Sequence, residues 1–127
     1  MVVLTQRILN AVATNLVDNH FQFLTVGTGD NPITTSSTDL ESAVQIGASN
    51  RNKARDSETI TDNAFQLFFS LSASEPNSQP VNIGEVGTQT SLTKTDELES
   101  AFVFLPSTKD NLSKWNIRMS GRVIEDI

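Results

Sequence analysis

The amino-acid sequence predicts a mainly β domain: an antiparallel sheet or sandwich with one N-terminal amphipathic helix and a short second helix. Three observations predict it. Phe65, Leu67, Phe69 and Leu71 alternate with Gln66, Phe68 and Ser70, the period of a strand with one strongly apolar face. Leu4, Ile8, Val12 and Leu16 recur every four residues, the spacing of one helical face. Further short apolar runs are punctuated by Gly, Pro, Asn and Asp clusters, the pattern of strands joined by turns.

In chain order, residues 4–18 read as the helix, with Leu9 and Ala13 beside the four-residue row and Asp18-Asn19 ending it. The row is expected to face the core. Phe21 to Val26 reads as a strand that runs into the turn-rich Gly27-Thr28-Gly29-Asp30-Asn31-Pro32. Thr38 with Glu41 three residues on has the form of a capping box, which predicts a short helix over Asp39 to Val44 closed by Gly47. Ala48 to Asp56 has little apolar content and carries Arg51, Lys53 and Arg55, so it reads as a mobile or extended arm.

The alternating run from Phe65 to Leu71 is the clearest strand, and Phe68 on its polar side predicts that this side is partly covered. Pro76 and Asn77 mark a turn, and Val81 and Ile83 begin a strand that meets Gly84-Glu85-Val86-Gly87. Thr88 to Glu99 is polar and threonine-rich, a loop or a solvent-facing hairpin. Ala101 to Leu105 is a short apolar strand ended by Pro106. Trp115, Ile117, Met119 and Val123 alternate with Asn116, Arg118, Ser120 and Arg122, a half-buried strand with a cationic outer face.

The chain of 127 residues fits a single domain, with no internal repeat. Nine Lys and Arg against fifteen Asp and Glu give a net charge of −6. That balance repels phosphate backbones and gives no attraction to an anionic membrane surface, so neither nucleic acid nor membrane is expected as a partner. No apolar run approaches the roughly 18–20 residues of a membrane span. Gln6, Arg7, Asn10 and Asn15 interrupt any secretory apolar core. With no cysteine, no tyrosine and one histidine, thiol chemistry and zinc ribbons are excluded and the catalytic menu is thin. We expect no enzyme, no metal and no cofactor.

The individual candidates support that expectation. Gly27-Thr28-Gly29 lacks the third glycine of a dinucleotide loop and places Asp30 where a phosphate needs amides, so it reads as a tight turn. His20 has no partners in sequence to make it a ligand or a base. Asp96, Glu97 and Glu99, and likewise Glu125 and Asp126, have no readable apolar pocket that would separate their pKa values for acid–base work. Two features carry binding instead. Arg51, Lys53 and Arg55 form a basic cluster that could dock on an acidic surface of a neighbouring subunit. Glu85 stands in a glycine-bracketed apolar strand end, where burial without a partner is costly; pairing with Arg51 or Arg55 is the expected solution.

The order of these pieces resembles a family of small tailed-bacteriophage structural proteins, including the N-terminal domains of tail-collar and fibre proteins. The resemblance rests on the helix from Leu4-Thr5, on the strand ending in Gly27-Thr28-Gly29, and on Thr38-Asp39-Leu40-Glu41 with Arg51 beyond it. It continues through the strand from Phe65 to Leu71, Ile83-Gly84-Glu85-Val86-Gly87, and Phe102 to Pro106 followed by Thr108-Lys109 and the strand from Trp115. It covers nearly the whole chain, and departs where Thr88 to Thr95 is polar rather than apolar. The resemblance implies a non-enzymatic virion component assembled in the host cytoplasm. With no shaft after Ile127, it favours a capsid decoration (cement) protein that binds the major capsid protein, and a homo-oligomer, by analogy a trimer. The alternative is a tail, baseplate or fibre adaptor. A receptor- or carbohydrate-binding module is a further alternative.

Overall fold

A computed structural model describes residues 2–125 of the chain. One helix, α1 (Gln6–Asn19), precedes eight strands: β1 (Phe23–Gly27), β2 (Ala43–Val44), β3 (Lys53–Ala54), β4 (Ser57–Thr61), β5 (Ala64–Leu71), β6 (Val81–Gln89), β7 (Ser100–Lys109) and β8 (Trp115–Arg122). They form two antiparallel sheets. The first runs β2-β1-β6-β7, with β3 pairing the far end of β1 beside β2; the second runs β4-β5-β8.

Both sheets contribute to one hydrophobic cluster, with Leu24, Val26, Ile83 and Val86 from the first and Leu67, Phe69, Leu71 and Met119 from the second. Strand alternation is what makes this possible. The expected run of Phe65, Leu67, Phe69 and Leu71 faces inward, opposite Ile117 and Met119 in the β5–β8 register. The long strand from Trp115 is therefore found where the sequence placed it.

The helix forms as expected, but a different face is buried. Ala13 and Val17 are fully buried, whereas Leu4, Ile8 and Val12 are 42%, 48% and 40% exposed. The reason is geometric. Residues four apart advance about 40° round the helix at each step, so a row from 4 to 16 winds away from any flat surface. Leu9 and Leu16, each half-buried, flank the buried stripe.

The second helix is absent among the described residues. Residues 39–42 form a turn, and Ala43 and Val44 pair with Gly27 and Val26 as β2. The amides that a first helical turn would leave free are taken by Glu85, as described below, so tertiary hydrogen bonds outweigh the local capping signal. The arm takes the extended one of its two expected forms over Lys53 and Ala54, and it is docked. Asn52 is 2% exposed, and Lys53 and Ala54 pair with Leu24 and Phe23, which docks the segment on the first sheet.

β4 was not expected: its Ser-Glu-Thr-Ile-Thr sequence has one apolar residue, as suits an edge strand exposed along most of its length. β6 continues past Gly87, so that Thr88 and Gln89 are buried strand residues facing Leu24 and Phe23; the following polar segment to Glu99 is a loop. Nor does Pro106 end β7. The register is irregular between Ile83 and Glu85, and a proline without an N–H is tolerated in an edge strand at such a bulge.

Candidate functional site

Glu85 is the most unusual side chain of the protein, a fully buried carboxylate. Its position follows from strand alternation. Val26 and Val86 are paired and belong to the shared cluster, so the next pair, Gly27 and Glu85, faces the other side of the first sheet. Residues 28–42 fold back over that side. Glu85 Oε2 accepts the N–H of Gly29 at 2.8 Å and of Ser42 at 2.8 Å, and Oε1 accepts the N–H of Glu41 at 2.9 Å.

The expected pairing of Glu85 with Arg51 or Arg55 is therefore replaced by three backbone amides. Converging N–H dipoles form an anion-binding concavity, and charge-assisted bonds of this type are about twice as strong as neutral ones. They offset burial without a cation. The two glycines of Gly27-Thr28-Gly29 are explained by the same carboxylate. A Cβ on Gly29 would stand 2.5 Å from Glu85 Oε2 and 2.7 Å from Glu41 Cβ, and one on Gly27 would meet Oε2 and, at 2.7 Å, the Ser42 carbonyl oxygen.

Gln89, two turns of alternation along β6, repeats the device on the second overlying loop. Its Oε1 accepts the Glu97 N–H at 3.0 Å and its Nε2 donates to Asp39 Oδ1 at 3.2 Å. Asn52 holds the same loop, donating from Nδ2 to the Ser91 and Lys94 carbonyls at 2.9 and 2.8 Å. Residues 28–42 and 90–99 thus lie over one side of the first sheet, tied down by buried polar side chains.

The three cations of the predicted arm are engaged within the chain. Arg51 pairs with Asp39. Lys53 Nζ lies 2.6 Å from Glu75 Oε1, which also accepts the Ser72 N–H at 2.9 Å. Partial burial pushes the Glu75 carboxyl up, but the hydrogen bonds from Lys53 and Ser72 and the Lys53 charge outweigh it, and the group is held below its ordinary value. Arg55 donates to the carbonyls of Val17 and Phe21 at 2.8 and 3.0 Å and lies 3.3 Å from Glu58, fastening the end of α1 to β3 and β4. The structure does not bring these cations together with Glu85.

Lys109 escaped the sequence reading. It is fully buried, and its Nζ donates to the carbonyls of Ser72 and Asp110 at 3.0 and 2.7 Å. No local pattern marks its burial, because one partner is the backbone carbonyl of the adjacent Asp110 and the other, Ser72, lies 37 residues away. His20 Nδ1 is 3.2 Å from Glu99 Oε1. Glu97 is held below its ordinary pKa by hydrogen bonds from Thr90 and Lys94. Glu125 accepts the Leu4 N–H, while Asp126 lies outside the described residues. Among the described residues, no group of three His, Asp or Glu is placed to hold a metal ion, and no helix is long and apolar enough to cross a membrane.

Two open clefts, each of about 550 Å³, lie on the second sheet. One is lined by Thr59, Gln66, Ser120 and Arg122 among others, the other by Asp56, Phe68, Asn116 and Arg118. No protein-family model matches the chain, and no curated protein matches it.

Proposed function

We propose that the protein is a non-enzymatic structural component of a tailed-phage virion, foremost a capsid decoration protein that packs onto the assembled shell. The observation that carries this reading is the Glu85 cradle. The Gly-x-Gly turn, the Thr-x-Leu-Glu segment and the Ile-x-Glu-Val-Gly strand are separate pieces of the resemblance, yet in space they are one unit. Gly29 and Glu41 supply amides to Glu85, and Gly27 and Gly29 leave room for its carboxylate. Motifs coupled through one hydrogen-bonded group support a resemblance of fold over the whole chain, a β-sandwich built from the two antiparallel sheets.

The polar interior supports a structural rather than a chemical role. Glu85, Gln89, Asn52 and Lys109 are buried, and each is bonded to at least one backbone amide or carbonyl. A nucleophile, a base and an orienting group would instead converge on an open cleft. A tail, baseplate or fibre-adaptor location is the second reading, on the same resemblance.

Mass spectrometry of purified particles, followed by a reconstruction with and without the protein, tests the proposal. Density over the shell that disappears with the gene is the expected result. Density confined to the tail moves the protein to the second reading, and absence from particles overturns both.

A further inference from the structure

We infer that the protein has two oppositely charged docking faces and that the occupant of each is a second copy of the chain, bound head to tail. The inference deepens the assembly reading and rests on it. Arg118 and Arg122 alternate along β8 with Ile117 and Met119 of the shared cluster, so both point from the outer face of the second sheet. At four residues apart they are about 13 Å from each other. Both are exposed, and among the described residues neither makes an ion pair. Their neighbours across β5 are Phe68 opposite Arg118 and Ala64 opposite Arg122, with Gln66 and Ser120 between. The two open clefts hollow this face, one at each arginine. It is a concave surface on which Arg118 and Arg122 outnumber Asp56, the acid that lines the cleft at Arg118, on a chain of net charge −6.

The compensating charge is on the loops over the first sheet. Residues 28–42 and 90–99 carry Asp30, Asp39, Glu41, Asp96, Glu97 and Glu99 against Lys94 alone. Of these, Asp30, Glu41 and Asp96 are exposed and make no ion pair among the described residues. Glu85 and Gln89 fix the backbone of both loops, so the acidic layer is presented on a rigid support. Like copies with a net negative charge repel in most orientations. Placing the Arg118–Arg122 face of one on the acidic loops of the next is the orientation in which they attract, and arginine's planar fork suits carboxylates. Such a contact joins different surfaces on the two copies, and therefore closes as a ring or repeats along a lattice.

Sedimentation velocity of the purified protein tests this, in dilute buffer and in about 1 M salt, where the Debye length falls to about 3 Å. Self-association in dilute buffer that is lost in salt is expected. R118E/R122E and D30K/D96K should each weaken it at least about tenfold. An equimolar mixture of the two variants should associate again, because each restores the charge its partner lacks. If the reversed pair unfolds, as read by circular dichroism, R118Q/R122Q serves in its place. A monomer in dilute buffer overturns the inference, as does association indifferent to salt and to both variants, or failure of the mixture to recover. Detection of the chain in particles is read separately, so a protein present on particles but monomeric in this assay sinks the head-to-tail contact and leaves the virion reading standing.

Discussion

Glu85 and Gly29 define each other: the carboxylate accepts the Gly29 N–H at 2.8 Å, and its Oε2 stands 2.5 Å from where a Gly29 side chain would begin. A buried charge is thereby met by backbone groups that a larger residue would push away. The glycine is needed for space, since no glycine among the described residues has a positive φ. The pair joins residues 56 apart in sequence, so it pins the first overlying loop to the middle of the first sheet.

Glu85→Ala should therefore be among the most damaging single changes. It leaves the buried Gly29 amide and the partly buried Glu41 and Ser42 amides unpartnered; a buried amide left unsatisfied costs about 1–3 kcal/mol, and water reaching the outer two would recover part of their share. Glu85→Gln keeps the shape but turns an NH2 group towards at least one of the three donors, and should cost about 1–3 kcal/mol. Urea unfolding measures both. Hydrogen exchange should show Gly29, Glu41 and Ser42 opening first. An unchanged midpoint for Glu85→Gln would mean that the amides are not its partners.

Gly29→Ala should cost about 1–3 kcal/mol through overpacking against the carboxylate. The effect should be smaller in a Glu85→Ala background, because one of the two close neighbours is then gone. A double-mutant cycle on unfolding free energies reads this coupling. Strict additivity of the two substitutions would contradict the geometry.

What the sequence revealed and what it hid follow one division. Period-two patterns in Phe65 to Leu71 and Trp115 to Val123 are recorded within each strand, so these strands were legible. Glu85 stood out because a carboxylate between Gly84 and Gly87 conflicts with its surroundings. Its partners did not, since backbone amides carry no sequence signal. The capping-box pattern at Thr38 was a genuine local preference overridden by those same amides. Arg51 and Lys53 looked free because Asp39 and Glu75 reach them only once the chain is folded, whereas Glu58 stands three residues from Arg55. Arg118 and Arg122, which make no ion pair among the described residues, were visible as the polar phase of β8 and were read as a cationic outer face.

Acid should weaken the clasp between Lys53 and Glu75 in a definite direction. The Glu75 carboxyl is held below its ordinary value of 4.5 in the folded chain. A depressed folded pKa contributes stability that is present above the unfolded value and is lost as pH falls through the folded one. Glu75→Gln should therefore lower the unfolding midpoint at neutral pH, and its deficit should shrink below about pH 4. Thermal unfolding of both proteins across that range gives the comparison. A deficit that stays constant with pH would assign the loss to packing alone.

The helix offers the sharpest contrast between an apolar residue and a core residue. Ile8 belongs to the four-residue row but is 48% exposed, whereas Val17 is fully buried in the shared cluster. Truncating Val17 to Ala should remove contacts and leave a void, at about 2 kcal/mol. Ile8→Ser removes more apolar surface in name, yet at an exposed site it should change stability by no more than about 0.5 kcal/mol. Urea unfolding at low protein concentration isolates the folding term from any association through the helix. Should Ile8→Ser prove as costly as Val17→Ala, the helix packs by the row that its sequence advertises, and the rotation that exposes Leu4, Ile8 and Val12 is wrong.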